Sequence, residues 1–146
     1  MLKINPGDYS EIRKHGEETY PHECCGVLLG QMAGDVRTVT STARCGNTRT
    51  DSPQNRYHID PKELVRIQRE ARGREEDIVG FYHSHPDHPA RPSQYDLDHA
   101  WPSFSYVIVS VMSGEPADLR SWKLKEDRSA FDEEPIVNPH STTVNR

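Results

Sequence analysis

Apolar residues in this chain occur in short runs that glycine, proline and charged residues interrupt, a pattern typical of a protein with several buried strands. Strands are predicted at residues 26–30, 35–42, 77–85, 105–112 and 119–124, with a shorter one at 57–59. The second run is rich in valine and threonine. Because Ala33-Gly34 directly precedes it, this run is predicted to form a hairpin with the first.

Three helices are predicted between these strands, at residues 8–20, 60–72 and 93–100. Asp60 followed by Pro61 is a typical helix start, and Gly73 is expected to end that helix. Ser93 is the predicted N-cap of the third helix. Strands with interspersed helices in a chain of 146 residues predict one α/β domain, in which helices flank a mixed β-sheet.

The domain is expected to cover residues 1–130. Residues 131–146 are acidic and then polar, and are predicted to form a partly disordered tail. Residues 44–55 are predicted to form a polar loop. No internal repeat or low-complexity segment divides the chain further.

Composition narrows the classes of function. The formal net charge is −5 and no run of five like charges occurs, which argues against a nucleic-acid partner. No apolar stretch is long enough for a membrane span, and the N-terminal segment lacks a hydrophobic signal core. A cytoplasmic protein with no membrane association is therefore expected.

The cysteines favour reduced thiols over a disulfide framework, because there are three of them and Cys24 and Cys25 are adjacent. Cys25 and Cys45 lie in segments predicted to pair as strands, so a bridge between them stays open as an alternative. A cysteine nucleophile is disfavoured, because no Cys–His–acid pattern is visible and Cys25 is expected to point into the core.

The residues with the clearest chemistry follow the end of strand 77–85. Side chains at odd-numbered positions from Val79 to His85 are expected to share one face, so His83 and His85 point the same way. Asp96 lies one turn into the helix that Ser93 caps, on the face that returns toward the strand end. Two imidazoles and one carboxylate form the three-ligand set of a catalytic zinc site, whose fourth position holds water. The Ser93–Asp96 spacing is also that of a capping box, which is compatible with metal binding.

Such a site needs a base that takes a proton from the water and returns it to the leaving amine. Glu23 is the candidate, because it is an acidic residue directly before the predicted buried strand. The alternative is that Glu23 is a surface carboxylate without a chemical role.

These residues match the motif of the JAMM (MPN+) metalloproteases, and the chain resembles that family over roughly residues 4–124. The motif is an upstream Glu, then His-x-His-Pro, then Ser-x-x-Asp after a spacer. The spacer here is the seven residues 86–92, between His85 and Ser93. The flanks also fit, with Glu-x-Cys-Gly-x-Leu-x-Gly at residues 23–30.

The resemblance implies a cytidine-deaminase-like MPN fold and one zinc ion per chain, bound by His83, His85 and Asp96. It implies that Glu23 is the general base and acid, and that Ser93 donates a hydrogen bond to the tetrahedral oxyanion. The implied reaction is hydrolysis of a peptide or isopeptide bond. Family substrates usually end in the Gly-Gly tail of a ubiquitin-like β-grasp protein.

The short chain is similar to the small stand-alone bacterial members of this family. That similarity implies a sulfur carrier of the ThiS/MoaD type as substrate, cleaved after its Gly-Gly tail to release trailing residues or a cysteine adduct. One alternative is an isopeptidase that removes a ubiquitin-like modifier from conjugates. Another is a non-catalytic MPN scaffold. The oligomeric state and the identity of the carrier stay open.

Residues 83–88 also spell His-x-His-x-Asp-His, which resembles the metallo-β-lactamase signature. That fold needs further metal ligands downstream, and only two histidines follow His88. Three prolines stiffen residues 86–92, where that fold has a helix. Asp87 and His88 are therefore expected to be loop residues near a substrate channel. Histidines without a partner pattern are expected to be surface or structural residues: His22, His58, His99 and His140.

Overall fold

The computed structural model describes residues 1–47 and 58–138 of the chain. Its elements in chain order are β1 (Leu2–Ile4), α1 (Pro6–Thr19), β2 (Cys25–Ala33), β3 (Val36–Cys45), α2 (Pro61–Arg72), β4 (Asp77–Pro86), α3 (Gln94–His99), β5 (Ser105–Met112), β6 (Glu115–Leu124), β7 (Phe131–Glu134) and β8 (Ile136–Val137). Asn5, Asp60 and Ser93 cap the three helices through side-chain oxygens. Both caps named from the sequence, Asp60 and Ser93, are confirmed.

The described strands form one mixed sheet in the order β7-β6-β5-β4-β2-β3-β1-β8. Strand β4 runs parallel to β5 and antiparallel to β2, and β1 runs parallel to both β3 and β8. The hairpin of β2 and β3 is present, with Gly34 in the left-handed turn. The predicted mixed sheet with flanking helices is confirmed.

The two edges of this sheet lie close together. Strand β7 is at one edge and β8 is at the other, yet only Pro135 separates them in the chain. Glu134 and Ile136 are two Cα–Cα steps apart and lie within about 7 Å of each other. The sheet is therefore strongly rolled, like a barrel that has nearly closed.

Helices cover opposite faces of the sheet. Helix α1 contributes Ile12 to a core that contains Leu28, Tyr82 and Val107. Helix α2 contributes Ile67 and Ala71 to the core on the other face, with Leu64 packed at its margin. Successive residues of β2 alternate between the two cores, so the strand is buried on both sides.

The side of the sheet predicted for Val79 is wrong. Ile78 pairs with Leu29 and Gly80 with Leu28, which leaves Val79 as the extra residue of a β-bulge. Val79 therefore packs in the core beneath α1, whereas Phe81 packs on the α2 side. Beyond the bulge the alternation is regular, and His83 remains on the face of Phe81.

The boundary predicted at residue 130 falls too early. Residues 131–137 form β7, which pairs with β6, and β8, which pairs with β1. The acidic composition of this segment was misleading because Glu134 is buried and bonded to the hydroxyls of Ser105 and Ser121. The remainder of the predicted tail, 139–146, lies outside the described residues.

Two smaller predictions around the second helix are also corrected. The predicted loop at 44–55 begins later, since Arg44 and Cys45 belong to β3, and its residues 48–55 lie outside the described part of the chain. The predicted strand at 57–59 is wrong for His58 and Ile59, which are irregular, while residue 57 is not described. In the ranges 1–47 and 58–138, no helix combines the length and the apolar character that a bilayer crossing requires.

Candidate metal and active site

Strand β4 carries two buried histidines at its carboxyl end. His83 is 1% exposed and His85 is 8% exposed, and both lie on the face that continues from Phe81. The strand is held between β2 and β5, so its backbone has partners on both sides. Two imidazoles therefore project from a rigid element into one region.

Helix α3 brings Asp96 to the histidines through its cap. The Ser93 hydroxyl accepts a hydrogen bond from the Asp96 backbone N–H at 3.1 Å, and the Ser93 N–H donates to Asp96 Oδ2 at 2.8 Å. This is a complete capping box. The second carboxylate oxygen, Oδ1, lies 3.2 Å from His83 Nε2. The capping box and the role as a ligand are thus compatible, because the cap orients the carboxylate.

The three donor groups have the spacing that a zinc ion requires. His83 Nε2 and His85 Nε2 are 3.2 Å apart, and His85 Nε2 lies 3.2 Å from Asp96 Oδ2. Tetrahedral ligands at zinc–nitrogen distances near 2.0–2.1 Å are separated by about 3.3 Å. The donor set of two imidazoles and a carboxylate also suits this metal. Within residues 1–47 and 58–138, no other group of three such side chains meets this criterion.

The loop after β4 fixes the orientation of His85. Its Nδ1 lies 2.9 Å from the carbonyl oxygen of Pro89, which can only accept, so Nδ1 carries the proton and Nε2 presents its lone pair. Ser110 donates to the carbonyl of His88 at 2.6 Å and holds the same loop. This positioning role is not predictable from the sequence, because the contact depends on a backbone carbonyl that no side-chain pattern reveals.

Asp87 anchors the start of that loop. Its carboxylate accepts from Tyr20 Oη at 2.7 Å and from the Ser113 N–H at 2.8 Å. It adopts a left-handed backbone conformation, with φ of 58°. Asp87 is therefore engaged in holding the loop, which disfavours the binuclear arrangement suggested by the His-x-His-x-Asp-His pattern.

The charges of the donor groups suit a cation. Burial alone would raise the pKa of Asp96, but the imidazoles of His83 and His85 outweigh it and hold that pKa below its usual range. Burial also lowers the pKa of His83, against the opposing effect of Asp96. The group therefore favours an ionised carboxylate beside a neutral imidazole, which is the protonation state that binds a metal.

Glu23 lies beside this group and is buried, with 3% of its surface exposed. Burial, together with the negative charge of Asp96, raises the pKa of Glu23 to about 9. The next residue is tied to β4 in two ways: Cys24 N–H donates to Ser84 Oγ at 2.8 Å, and Ser84 N–H donates to the Cys24 carbonyl at 3.1 Å. Ser84 thus fixes the Glu23 segment against β4, the strand of His83 and His85, a contact that no sequence pattern indicates.

Two depressions flank the donor group. The first, which we call the aromatic pocket, has a volume of about 280 Å³ and contacts His83 and Asp96. Five aromatic side chains contribute to its wall: Phe81, Tyr95, Trp101, Tyr106 and Phe131. The second, which we call the loop cleft, has a volume of about 270 Å³ and is lined by Glu23, His85, Pro86, His88, Pro89, Arg91 and Ser93.

The histidines without a partner pattern fall into two groups. His58 and His99 line the aromatic pocket, and His99 stacks on Tyr95 with ring centroids 4.0 Å apart. Both were expected to be surface or structural residues, and a place in the lining of this pocket was not expected. His22 is exposed, and His140 lies outside the described residues.

The cysteines are free thiols. Cys25 and Cys45 are paired residues of β2 and β3, as the sequence suggested, but Cys25 Sγ points to the Cys45 carbonyl at 3.8 Å and no bridge is formed. Burial raises the pKa of both thiols, and the same effect raises that of Cys24 to about 11. Protonated buried thiols are poor nucleophiles, so a cysteine mechanism is disfavoured.

Several known proteins are similar to this chain in sequence. A sequence profile described as prokaryotic homologues of the JAB domain matches residues 7–125. A desampylase of Haloferax volcanii is 42% identical over 102 residues, which cover 69% of this chain and 71% of the relative. A probable TtuB-protein conjugate cleaving protease of Thermus thermophilus is 29% identical and covers 76% of this chain and 71% of the relative.

A solved structure agrees with the fold. The solution structure of a protein from Desulfitobacterium hafniense superimposes with a TM-score of 0.82 at 32% sequence identity. The match covers 98% of this chain and 99% of that protein. The rolled mixed sheet with flanking helices is thus shared over nearly the whole length of both chains.

Proposed function

The chain belongs to the prokaryotic homologues of the JAB domain, the JAMM (MPN+) family, and from this premise we propose that it is a zinc-dependent hydrolase. Its proposed reaction is cleavage of the amide bond that follows the C-terminal Gly-Gly of a ubiquitin-like β-grasp protein. The observation that carries the proposal is the donor group of His83, His85 and Asp96, which lies beside the buried carboxyl of Glu23.

The donor group would hold the metal, which when bound supplies a Lewis acid and an activated water. The raised pKa of Glu23 would be lowered by a cation held beside it, and the Glu23 carboxylate then takes the proton of the attacking water and passes it to the nitrogen of the leaving amine. The Ser93 hydroxyl, at the start of α3, donates a hydrogen bond to the oxygen on which negative charge develops. Burial of the site strengthens both interactions because water competes less there.

The relatives support a ubiquitin-like substrate. The names of the Haloferax and Thermus proteins denote enzymes that act on protein conjugates, one of them on conjugates of TtuB. A sulfur carrier of the ThiS/MoaD type with a Gly-Gly tail is the form of such a substrate that we propose first. The burial of His83 and His85 favours a slim tail of this kind.

Removal of a ubiquitin-like modifier from lysine side chains is the second candidate. The names of these two relatives favour it, and the bond-breaking chemistry is the same. A non-catalytic scaffold is disfavoured, because the donor group and Glu23 are all present and closely arranged.

An intact-mass assay tests the proposal. The zinc-loaded protein is incubated with β-grasp carriers of its source organism, each with a native tail, an extended tail, a cysteine adduct or a lysine conjugate. We expect loss of mass back to the terminal glycine, which the Glu23→Ala variant does not produce. Unchanged masses of all four forms would contradict the proposed hydrolysis.

Metal content provides a readout that does not depend on activity. We expect the native protein to bind one zinc ion per chain and His83→Ala to lose it, as measured by elemental analysis after dialysis. Full zinc content in His83→Ala would contradict the proposed ligand set.

A further inference from the structure

The loop cleft is the place where the leaving amine must lie. Glu23 has to reach the departing nitrogen to deliver its proton, and a general acid acts only within hydrogen-bond distance. Glu23 lines the loop cleft and does not line the aromatic pocket. The leaving group therefore occupies the loop cleft, which Ser93, the proposed oxyanion donor, also lines.

The loop cleft is lined by a positively charged arginine, Arg91. Arg91 is exposed, and among residues 1–47 and 58–138 no carboxylate forms an ion pair with this guanidinium. By contrast, Arg44, Arg74 and Arg120 are each paired with an acidic side chain. Glu23 is the only acidic residue in the described lining of the cleft, and it is assigned to the reacting atoms.

The backbone beneath Arg91 is held in a defined position. Its N–H donates to the Pro89 carbonyl at 2.8 Å, and the loop begins at the Asp87 anchor. Arg91 also lies two residues before Ser93, the cap of α3. The guanidinium therefore projects from a restrained loop, which lowers the conformational entropy that a bound partner must remove.

We propose that the loop cleft recognises a leaving group with a free carboxylate, which Arg91 binds through its planar fork. This inference rests on the proposed hydrolysis after Gly-Gly and selects its substrate class. The preferred substrate is a carrier extended linearly by an amino acid or a short peptide, rather than a carrier joined to a lysine side chain. The α-carboxylate of a linear leaving group is two bonds from the departing nitrogen, whereas a lysine within a protein has no carboxylate there. Arginine pairs with a carboxylate through two parallel hydrogen bonds, which adds directional selection to the charge.

Three probes that differ only in the leaving group test the inference. Each is the same Gly-Gly carrier: one is extended by alanine with a free carboxylate, one by alaninamide, and one is joined to the side chain of Nα-acetyl-lysinamide. For the zinc-loaded native protein we expect kcat/KM to be about five-fold higher for the alanine probe than for the alaninamide probe. The ratio should fall toward one at high salt, because the charged contact is at the surface.

Variants of arginine separate recognition from general damage. Arg91→Ala should give equal kcat/KM for the alanine and alaninamide probes, and Arg91→Lys should restore part of the preference. Arg72→Ala, an exposed arginine at the end of α2, is the matched control and should keep the full ratio. Equal cleavage of the alanine and alaninamide probes by the native protein would overturn the inference and leave the proposed hydrolysis intact.

Binding measurements keep the inference testable if no probe is cleaved. That result would refute the proposed function, and affinities of zinc-loaded Glu23→Gln for the probes would then decide the inference. Tighter binding of the alanine probe that is lost in the double variant Glu23→Gln/Arg91→Ala would sustain carboxylate recognition. Equal affinities, or no binding of any probe, would overturn it.

Discussion

At the scale of single residues, contacts from outside the donor group orient its side chains. His85 is oriented by the Pro89 carbonyl and Asp96 by the Ser93 N–H. His83 lies in β4 between two paired strands. Such supporting contacts typically change metal affinity by 10–100-fold when they are removed.

Ser93 has two roles that substitutions can separate from each other. Ser93→Ala removes the cap of α3 and the proposed oxyanion donor, so we expect kcat/KM to fall about 100-fold or more. The free energy of unfolding should fall by only about 1 kcal/mol. Steady-state kinetics and urea denaturation check the two expectations. Ser93→Thr keeps the hydroxyl and should keep most of the activity, so equal losses in both variants would argue against a hydroxyl role.

Glu23 should make the metal-free protein less stable as pH rises. Its pKa is raised from 4.5 to about 9 in the folded state, so between these values the folded state binds more protons than the unfolded one. Stability is then greatest below the unfolded pKa and is lost toward high pH. Glu23→Gln has no such proton, and at alkaline pH we expect it to be more stable than the native protein by about 1–3 kcal/mol. Denaturation of both proteins without metal at several pH values measures this difference, and parallel pH profiles would contradict it.

At the scale of elements, α1 is joined to β4 by a buried polar contact on the face opposite to the histidines. His15 Nδ1 lies 2.7 Å from Tyr82 Oη, and both side chains are buried. Tyr82 covers Gly26 of β2 so closely that a Cβ there would lie 2.2 Å from the ring. The close approach of the ring requires glycine at this position, and helix, β4 and β2 are thereby fixed together.

His15 should make the native protein sensitive to acid. Burial, assisted by the positive charge of Arg44, lowers the pKa of His15 from 6.5 to about 4. The unfolded state therefore binds more protons between these values, and stability is lost as pH falls through this range. We expect this loss to be about 2 kcal/mol in the metal-free protein and to be absent in His15→Gln. Denaturation across the same pH range measures it. Tyr82→Phe retains the imidazole and should retain the pH dependence, so a flat profile in that variant would contradict this explanation.

At the scale of the whole molecule, the rolled sheet is stabilised by a buried carboxylate where its edges meet. Glu134, the last residue of β7, accepts from Ser105 of β5 at 2.7 Å and from Ser121 of β6 at 2.9 Å. Its other oxygen lies 3.7 Å from Arg37 of β3, near the opposite edge. This buried carboxylate thus connects β5 and β6 with β3, on the other side of the place where the sheet closes.

Glu134→Gln should destabilise the protein strongly, because it leaves Arg37 buried without a negative partner. We expect the free energy of unfolding to fall by about 3 kcal/mol. Glu133→Gln is the matched control, since that neighbouring carboxylate forms an exposed ion pair with Arg120 and its loss should cost less than about 1 kcal/mol. Urea denaturation measures both variants. Similar losses of unfolding free energy in the two variants would show that the buried Glu134 contacts stabilise the protein no more than a surface ion pair does.

Local patterns in the sequence determined the strands, the helix caps and the candidate metal ligands. His83 and His85 are two residues apart on a strand, and Ser93 and Asp96 form a capping box, so their relative directions follow from local geometry. The chemistry of an imidazole–imidazole–carboxylate group follows from residue types alone. For the same reason the α/β class was predictable from the alternation of short apolar runs with capped helices.

Tertiary structure alone decided which distant segments meet. The bulge at Val79 depends on its pairing with β2, and the place of Glu134 depends on closure of the sheet. Glu23 is brought beside Asp96, and Arg91 into the loop cleft, by packing across many intervening residues. Long-range contacts arise from the packing of the whole chain, so a local sequence pattern does not show which distant residues will lie next to it. The sequence therefore determined the candidate chemistry, and the fold decided which side chains surround it.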